Sequence, residues 1–473
     1  MQIILAYTTV KHVKRLVRTL ENLKSGRCII EIYGLGYVGF PLAVRLASVG
    51  LRVRGIDINM DRLSRLQDGQ LMGTEIGLSE AFGSAISDGR LVLADRPDTW
   101  NVGKIGIICV PTPIPTENSD SSLHVEAAVR EFLKTARSGD ILIMESSTEV
   151  GTTDHIAGMV DQAGHIIGKD LGLALCPERI DPQNTRWTLA NIPRVIWCSD
   201  DTTYDICARL YTHVNNSELR RVSNAKTAEV VKSFENAFRL VNISLVNELA
   251  ILCDGLGISV HEVIGAAATK PFGFMPFYPS AGAGGHCIPK DPIFLVRSAQ
   301  MQNNEFPSIL NALRTNHTVP HYVAAEVGRM LGEMSLPKSV LVFGMAYKPN
   351  TEDMRDSPGF KIATKFINMG YKVGITDPFL DISRMSTYMK ENHIINTKFT
   401  VVPDLAEGYS CLCICQHHAK SAIALAEAYR RGLFPLIYDC QGRLMHNTRY
   451  QTRLEGLGGP RHQDVGRVRR DIC

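Results

Sequence analysis

From Arg27 onward, short β-branched runs alternate with segments whose apolar positions recur every three or four residues. The runs are CIIEIY (28–33), RVRGIDIN (52–59), KIGIICVPTP (104–113), DILIMESST (140–148), LGLALCPER (171–179) and PRVIWCS (193–199). Such alternation predicts a parallel sheet with helices on both faces. A long helical stretch then runs from about Asn224 to Gly257, followed by a helix from Ser259 to Ala268 and a Gly/Pro/aromatic loop from Lys270 to Pro292. After Pro337 the alternation resumes in SVLVFGMAY, YKVGITDPF, FTVVPDL, SCLCIC and PLIYDC, which predicts a second, smaller doubly wound sheet. The expected fold is α/β, with an N-terminal Rossmann-type domain over 27–205, a central helical domain over 206–320 and a smaller C-terminal Rossmann-like domain over 321–450. Residues 1–26, basic and loosely helical, are expected to form an extension of uncertain order, and 451–473 a basic tail.

Composition narrows the classes. A chain of 473 residues exceeds one ordinary core and suggests about three domains. With 21% charged residues and a formal charge of +3, no nucleic-acid partner is implied. Arg461, Arg467, Arg469 and Arg470 sit in a short terminus with no accompanying basic fold motif. Twelve cysteines without framework spacing point to a reducing cytoplasm. No basic region precedes the short apolar start, so no signal peptide is expected. The long apolar helix carries Glu235, Arg239, Glu248 and Asp254, and so reads as a buried core helix with no membrane span. It is apolar on more than one face, which suggests a homodimer formed through it.

Gly34-Leu35-Gly36-Tyr37-Val38-Gly39 follows the first strand directly and opens a helix, and Asp57 ends the next strand. Together these form a dinucleotide-binding fingerprint. Gly34 permits the tight turn, Gly36 lets backbone approach a pyrophosphate at the helix N-terminus, and Gly39 lets helix and strand pack closely. Tyr37 and Val38 complete the loop as candidate cofactor contacts. Asp57 would accept hydrogen bonds from ribose hydroxyls, favouring NAD over NADP. Thr112 and Thr148 lie at the ends of the KIGIICVPTP and DILIMESST strands, where they either touch the ribose or nicotinamide or cap the next helix.

Lys232, Asn236 and Arg239 share one face of the long helix. A solvated stripe is the ordinary explanation, but Val231, Phe234, Ala237, Phe238 and Val241 make the remaining surface apolar. A lysine and an asparagine so placed suit an alkoxide or the water that becomes one. The loop before Pro292 concentrates Gly282, Gly284, Gly285, Cys287, Lys290 and Asp291. Its glycines would let backbone approach a ligand, Lys290 would favour a Cys287 thiolate, and Asp291 would orient the lysine or a water. Cys411, Cys413 and Cys415 alternate as one face of a strand. With His417 and His418 they invite a metal reading, but core packing is the stronger one, and no metal is expected.

GLGYVG, CVPTP, SSTEVGTT, CPERIDP, KxxxNxxR, GGHCIPKDP and AYKPNTEDMRDSP occur in the order seen in the UDP-glucose/GDP-mannose dehydrogenase family, which the chain resembles from about Arg27 to Gly442. The resemblance implies that Cys287 is the catalytic cysteine, that Lys232 and Asn236 handle the oxyanion and the hydrolytic water, and that Asp291 and Thr148 assist proton transfer. It implies acid/base work for Glu178, sugar-nucleotide contacts for Arg179, Ile180, Arg239, Gly284, Tyr347 and Lys348, and cofactor contacts for Lys290 and Arg355. CPERIDP, KPFGFMPFYP and GHCIP look most like UDP-N-acetylglucosamine 6-dehydrogenases of surface-polysaccharide pathways. UDP-glucose dehydrogenases show NPEFL instead. UDP-N-acetylmannosamine dehydrogenases show a histidine-arginine pair where Pro271 and Gly273 stand here. Two departures from the family pattern are Ser280-Ala281-Gly282-Ala283 in place of GPGx, and Gln183 in place of a glycine.

The implied reaction is a four-electron oxidation at C6 through a Cys287 thiohemiacetal and thioester, consuming two NAD. UDP-N-acetylmannosamine and UDP-glucose 6-dehydrogenases are the alternatives within the family. A β-hydroxyacid dehydrogenase shares the Lys-xxx-Asn pair but needs neither Cys287 nor a third domain. A silent NAD or sugar-nucleotide binder would not need Cys287, Lys232, Asn236 and Asp291 together.

Overall fold

In the computed structural model, which describes residues 16–69, 77–114, 121–181, 184, 186–392, 394, 399–402, 404–444 and 453–457, the apolar runs become the strands of two sheets. The chain divides into two units: residues up to 235 together with 293–302, and residues 236–292 together with those from 303 on.

The first unit opens with helix α1 (16–24). Its strands are β1 (Ile29–Tyr33), β2 (Arg52–Ile56), β3 (Leu91–Ala94), β4 (Lys104–Ile108), β5 (Asp140–Met144), β6 (Leu171–Leu175), β7 (Arg194–Cys198) and β8 (Leu219–Arg221). They lie in the order β3-β2-β1-β4-β5-β6-β7-β8. Helices α2 (Gly39–Ser48), α3 (Met60–Gln67), α4 (Leu78–Ser87), α5 (Leu123–Thr135), α6 (Thr152–Gln162) and α7 (Asp201–Thr212) connect them. The pairing is parallel except between β6 and β7, which run antiparallel. A parallel return needs a helical crossover, and no helix lies between these two strands among the described residues.

The extension expected over 1–26 is corrected from residue 16 onward. Leu16 and Leu23 of α1 are each 1% exposed within the core that holds Ile30 and Ile32. Thr19 Oγ1 donates to the Gly139 carbonyl at 2.6 Å. The amphipathic pattern of this helix is therefore used against the sheet. Residues 1–15 lie outside the described residues.

Helix α8 (Ala225–Leu256) begins in the first unit and ends in the second. It is long and apolar enough, by length and composition, to cross a bilayer, yet only 44% of its most apolar stretch is buried. The expectation of a buried core helix holds for part of its surface, and other apolar positions on it are exposed. Ala237, Leu240, Val246, Ala250 and Cys253 are buried, whereas Phe234, Phe238, Leu245, Leu252 and Leu256 are exposed.

The second unit continues with α9 (Val260–Ala267), the start of α10 (Asp291–Met301) and α11 (Pro307–Glu333). Its strands are β9 (Ser339–Phe343), β10 (Lys372–Thr376), β11 (Phe399–Val401), β12 (Cys411–Ile414), β13 (Leu436–Asp439) and β14 (Arg453–Gly456), in the order β11-β10-β9-β12-β13-β14. All pairs in this sheet are parallel. Helices α12 (Pro358–Asn368), α13 (Ile382–Glu391) and α14 (Ala422–Arg431) complete it. Both sheets thus present the carboxyl ends of their central strands to loops rich in polar residues, the usual setting for ligands in this architecture.

Candidate active site

In the first unit the glycine loop takes the conformation its sequence predicts. Gly34 has φ +94°, and a Cβ there would meet the Cys109 carbonyl oxygen at 2.9 Å. At Gly39, the first residue of α2, a Cβ would lie 2.0 Å from the Gly34 oxygen. A Cβ on Gly36 would meet nothing within 4 Å. The loop therefore leaves room at a helix N-terminus, where backbone N–H groups and the helix dipole favour a phosphate. Asp57 is buried, and its carboxylate accepts from Leu35 N at 2.8 Å, Asn59 N at 2.9 Å and Arg62 Nη1 at 2.7 Å. It thereby ties the loop to the strand that follows. Sequence reasoning missed Arg62, whose position five residues after Asp57 was the available signal.

Thr112 and Thr148 are both buried. Neither caps a helix, because the cap positions of α5 and α6 belong to Ser122 and Gly151. The first turn of α6 is held instead by Glu229 of α8, whose carboxylate accepts from Gly151 N at 2.7 Å and from Thr153 N at 2.8 Å.

Beyond β6, Glu178 Oε1 accepts from the backbone N–H groups of Arg179 at 2.6 Å and Ile180 at 2.7 Å. Its Oε2 pairs with Arg194, which also pairs with Glu145 at 2.7 Å and lies 4.6 Å over the Tyr211 ring. Burial pushes the Glu145 carboxyl up, and the Arg194 charge opposes it. Arg194 is 2% exposed, so a buried cation holds two carboxylates. Both Glu178 oxygens are engaged, an arrangement that shapes the 178–180 segment. Arg179 in turn grips Glu235 of α8, at 2.5 Å through Nη2 and 3.2 Å through Nε. Lys232, one helical turn before Asn236, is half-buried, and Arg239 is exposed.

In the second unit the cysteine loop is clamped from several directions. Cys287 is exposed, whereas Cys109 is half-buried and the nine other described cysteines are buried. Its carbonyl accepts from Lys290 N at 3.2 Å and Asp291 N at 2.9 Å, making the turn that opens α10. Asp291 is fully buried; its Oδ2 accepts from Asn236 Nδ2 at 2.6 Å and its Oδ1 lies 3.2 Å from Lys290 Nζ. The expected orientation of Lys290 by Asp291 is present, and the ammonium rests on that carboxylate in a buried position. His286 was not foreseen. Burial, reinforced by the Lys290 and Arg355 charges, holds its pKa down to about 3, so the ring is neutral near pH 7.

The loop glycines permit close packing. A Cβ on Gly284 would meet Asp356 O at 2.7 Å and Pro358 Cδ at 2.8 Å, and one on Gly285 would meet Tyr347 Cε2 at 2.6 Å. Gly282 lies beside Asn316. The space on the Cβ side of Gly284 and Gly285 is filled by protein, which presses the loop against the residues around it. Asn316 clamps Ala283 through its backbone N–H at 2.6 Å and its carbonyl at 2.9 Å, and Asn247 accepts from Ser280 N at 2.9 Å. Positive φ falls on Gly282 (+122°) and Gly285 (+84°) and not on Ser280, Ala281 or Ala283, so the departures from GPGx sit where side chains are tolerated. Gln183 lies outside the described residues.

Arg355 donates to Asp353 through Nε at 2.9 Å and Nη2 at 2.6 Å, while its carbonyl accepts from Gly285 N at 2.9 Å. Tyr347 N donates to the Asp353 carbonyl at 3.0 Å. The AYKPNTEDMRDSP segment, which carries Lys348, thus folds onto the cysteine loop within one unit.

Profiles of three domains match the chain. The UDP-glucose/GDP-mannose dehydrogenase family NAD binding domain covers 28–215, the central domain 226–318 and the UDP binding domain 341–445. A UDP-N-acetyl-D-mannosamine dehydrogenase of Methanococcus aeolicus is 35% identical over 355 residues, covering 74% of this chain and 78% of the relative. An NDP-N-acetyl-D-galactosaminuronic acid dehydrogenase of Ralstonia nicotianae is 32% identical over 72% of this chain and 80% of its own. The solved structure of the UDP-D-ManNAc dehydrogenase from Pyrococcus horikoshii superposes with a TM-score of 0.79 at 28% identity, covering 91% of this chain and 99% of the other.

Proposed function

The chain belongs to the UDP-glucose/GDP-mannose dehydrogenase family and is an NAD-dependent nucleotide-sugar dehydrogenase, and on that premise we propose that it oxidises C6 of a UDP-N-acetylhexosamine to the carboxylate through Cys287. The observation that carries the reading is the exposed Cys287 thiol on a turn whose next two polar residues, Lys290 and Asp291, are buried and paired. A surface thiol without a role would have no need of so constrained a support.

Gly34, Gly36, Gly39 and the N-terminus of α2 would hold the pyrophosphate of NAD, and Asp57 its ribose. NAD, when bound, supplies the acceptor for hydride. Cys287 adds through sulfur to the C6 aldehyde, keeps the carbon bound as thiohemiacetal and then thioester, and is released when water hydrolyses the thioester. Lys232 stabilises the oxyanion, an effect worth about 3 kcal/mol when one such donor is lost. Asn236 and Asp291, joined by their hydrogen bond, position water and relay its proton, with Thr148 assisting. Glu178, with both oxygens committed, positions Arg179 and Ile180 toward substrate. Tyr347, Lys348 and Arg355 contribute from the UDP-binding domain.

UDP-N-acetylglucosamine is our first choice of substrate, for surface-polysaccharide precursors. Pro271 and Gly273 stand where UDP-N-acetylmannosamine dehydrogenases show a histidine-arginine pair, which supports this choice. UDP-N-acetylmannosamine is the second choice, favoured by the names of the relatives. NADH production with UDP-sugars that differ in the N-acetyl group and in C2 and C4 configuration tests the proposal. Turnover of UDP-glucose in preference to every N-acetylated sugar would refute it.

The exposed residues Phe238, Leu245 and Leu252 recur every seven positions along α8. They support a homodimer through this helix, and light scattering giving a monomer mass at micromolar concentration would refute it. The described cysteines are unbridged, which supports a reducing, cytoplasmic setting.

A further inference from the structure

Cys413 on β12, Cys415 just past its end and Cys440 just past β13 bring their sulfur atoms within 4.8 Å of one another. The register explains why. Ile414 pairs with Asp439, and Cys440 N donates to the Ile414 carbonyl at 3.0 Å. Cys415 and Cys440 therefore continue the parallel ladder side by side, and Cys413, two residues before Cys415, faces the same way. The three are 0%, 5% and 0% exposed, in a core shared with Val342 and Tyr438. Single buried cysteines are ordinary small core residues. Cys411, on the same strand and in the same core, is one and stands outside the trio.

We propose that Cys413, Cys415 and Cys440 form a three-sulfur site for a soft monovalent cation, Cu(I). Thiolate is a soft ligand that selects Cu(I), zinc or iron–sulfur chemistry. Structural zinc requires four ligands, and among the described residues no histidine, carboxylate or further cysteine joins the three. The two neighbouring histidines are turned to carboxylates: His417 Nε2 lies 2.9 Å from Asp439 Oδ1, and His418 Nε2 lies 3.2 Å from Asp377 Oδ2 while its Nδ1 accepts from Asn350 N at 3.0 Å. An ion content with three sulfurs and no nitrogen is the signature of this geometry. Copper stays in the +1 state throughout. Cu–S bonds replace S–H bonds, the released protons go to solvent, and no electron moves. The site lies at the carboxyl ends of β12 and β13.

The test uses the full chain, reduced and free of oxygen, titrated with Cu(I) against a coloured Cu(I) chelator. About one Cu(I) per chain should resist the chelator, with sulfur-only ligation in the X-ray absorption spectrum. Cys413→Ser and Cys440→Ser should each weaken binding by at least roughly 100-fold. Cys411→Ser, buried but outside the trio, and Cys287→Ser, which removes the exposed thiol, should retain it. A cooperative melt of each copper-free variant shows that it folds, and Cys415→Ala replaces any that does not. Equal retention in wild type and Cys440→Ser would overturn the proposal. So would nitrogen ligation, or a mass decrease of two hydrogens with no ion retained, which is the mark of a disulfide.

Discussion

A Cβ on Gly36 would meet nothing within 4 Å, whereas one on Gly285 would reach Tyr347 Cε2 at 2.6 Å. Both glycines sit in Gly-rich loops beside residues expected to carry chemistry, and their compositions look alike. In the first unit the missing side chain leaves open space above a helix N-terminus. In the second it makes room for protein, so that the loop bearing Cys287 is pressed against Tyr347, Asp356 and Pro358 and clamped by Asn316 and Asn247. The difference teaches that a glycine-rich loop is read by what faces it: an open one leaves its backbone accessible, and a filled one is held in a fixed place.

The largest effect we expect comes from the exposed thiol of Cys287 on the filled loop. Cys287→Ser should reduce turnover on the order of 10⁴-fold with an unchanged melting temperature, because the thiol is exposed. Retained turnover would remove the cysteine from the chemistry. Next, Gly285→Ala should lower stability by roughly 2–3 kcal/mol, combining a φ of +84° with overpacking against Tyr347; urea denaturation measures it. Gly36→Ala gives the sharpest contrast. It should stay within about 0.5 kcal/mol of wild-type stability while raising the KM for NAD, and a large stability loss would show that the first loop is packed like the second. The smallest effect concerns His286. Its pKa is held at about 3 in the folded chain against 6.5 ordinarily, so between these values the unfolded chain binds a proton that the folded chain does not. Stability is full above pH 6.5 and falls as pH drops toward 3. His286→Gln should flatten that slope by an amount on the order of 1 kcal/mol, as read from melts across the window.

Most of both sheets was legible because their central strands are buried on both faces and therefore appear as continuous apolar runs. The strands that went unread are short, and edge or polar positions dilute their pattern: β3 (Leu91–Ala94), β8 (Leu219–Arg221) and β14 (Arg453–Gly456). Helix α1 was set aside because its basic residues mask the two leucines that face the core. Within the site, the Lys290–Asp291 pairing was foreseeable from adjacency, whereas the Asn236–Asp291 hydrogen bond joins residues 55 positions apart and was not. The Arg194 link to Glu178 was not, since it depends on β7 running back antiparallel beside β6. Cys440 joins Cys413 and Cys415 only through the register of β12 with β13, which periodicity along one strand does not reveal.

The most direct test of the central claim, that Cys287 holds C6 through two successive oxidations, is the stoichiometry of NADH to sugar nucleotide consumed when UDP-N-acetylglucosamine, or the hexosamine the panel identifies, is limiting. Two NADH per sugar with a carboxylate product is the expected result. One NADH per sugar with free aldehyde or ketone released would contradict it.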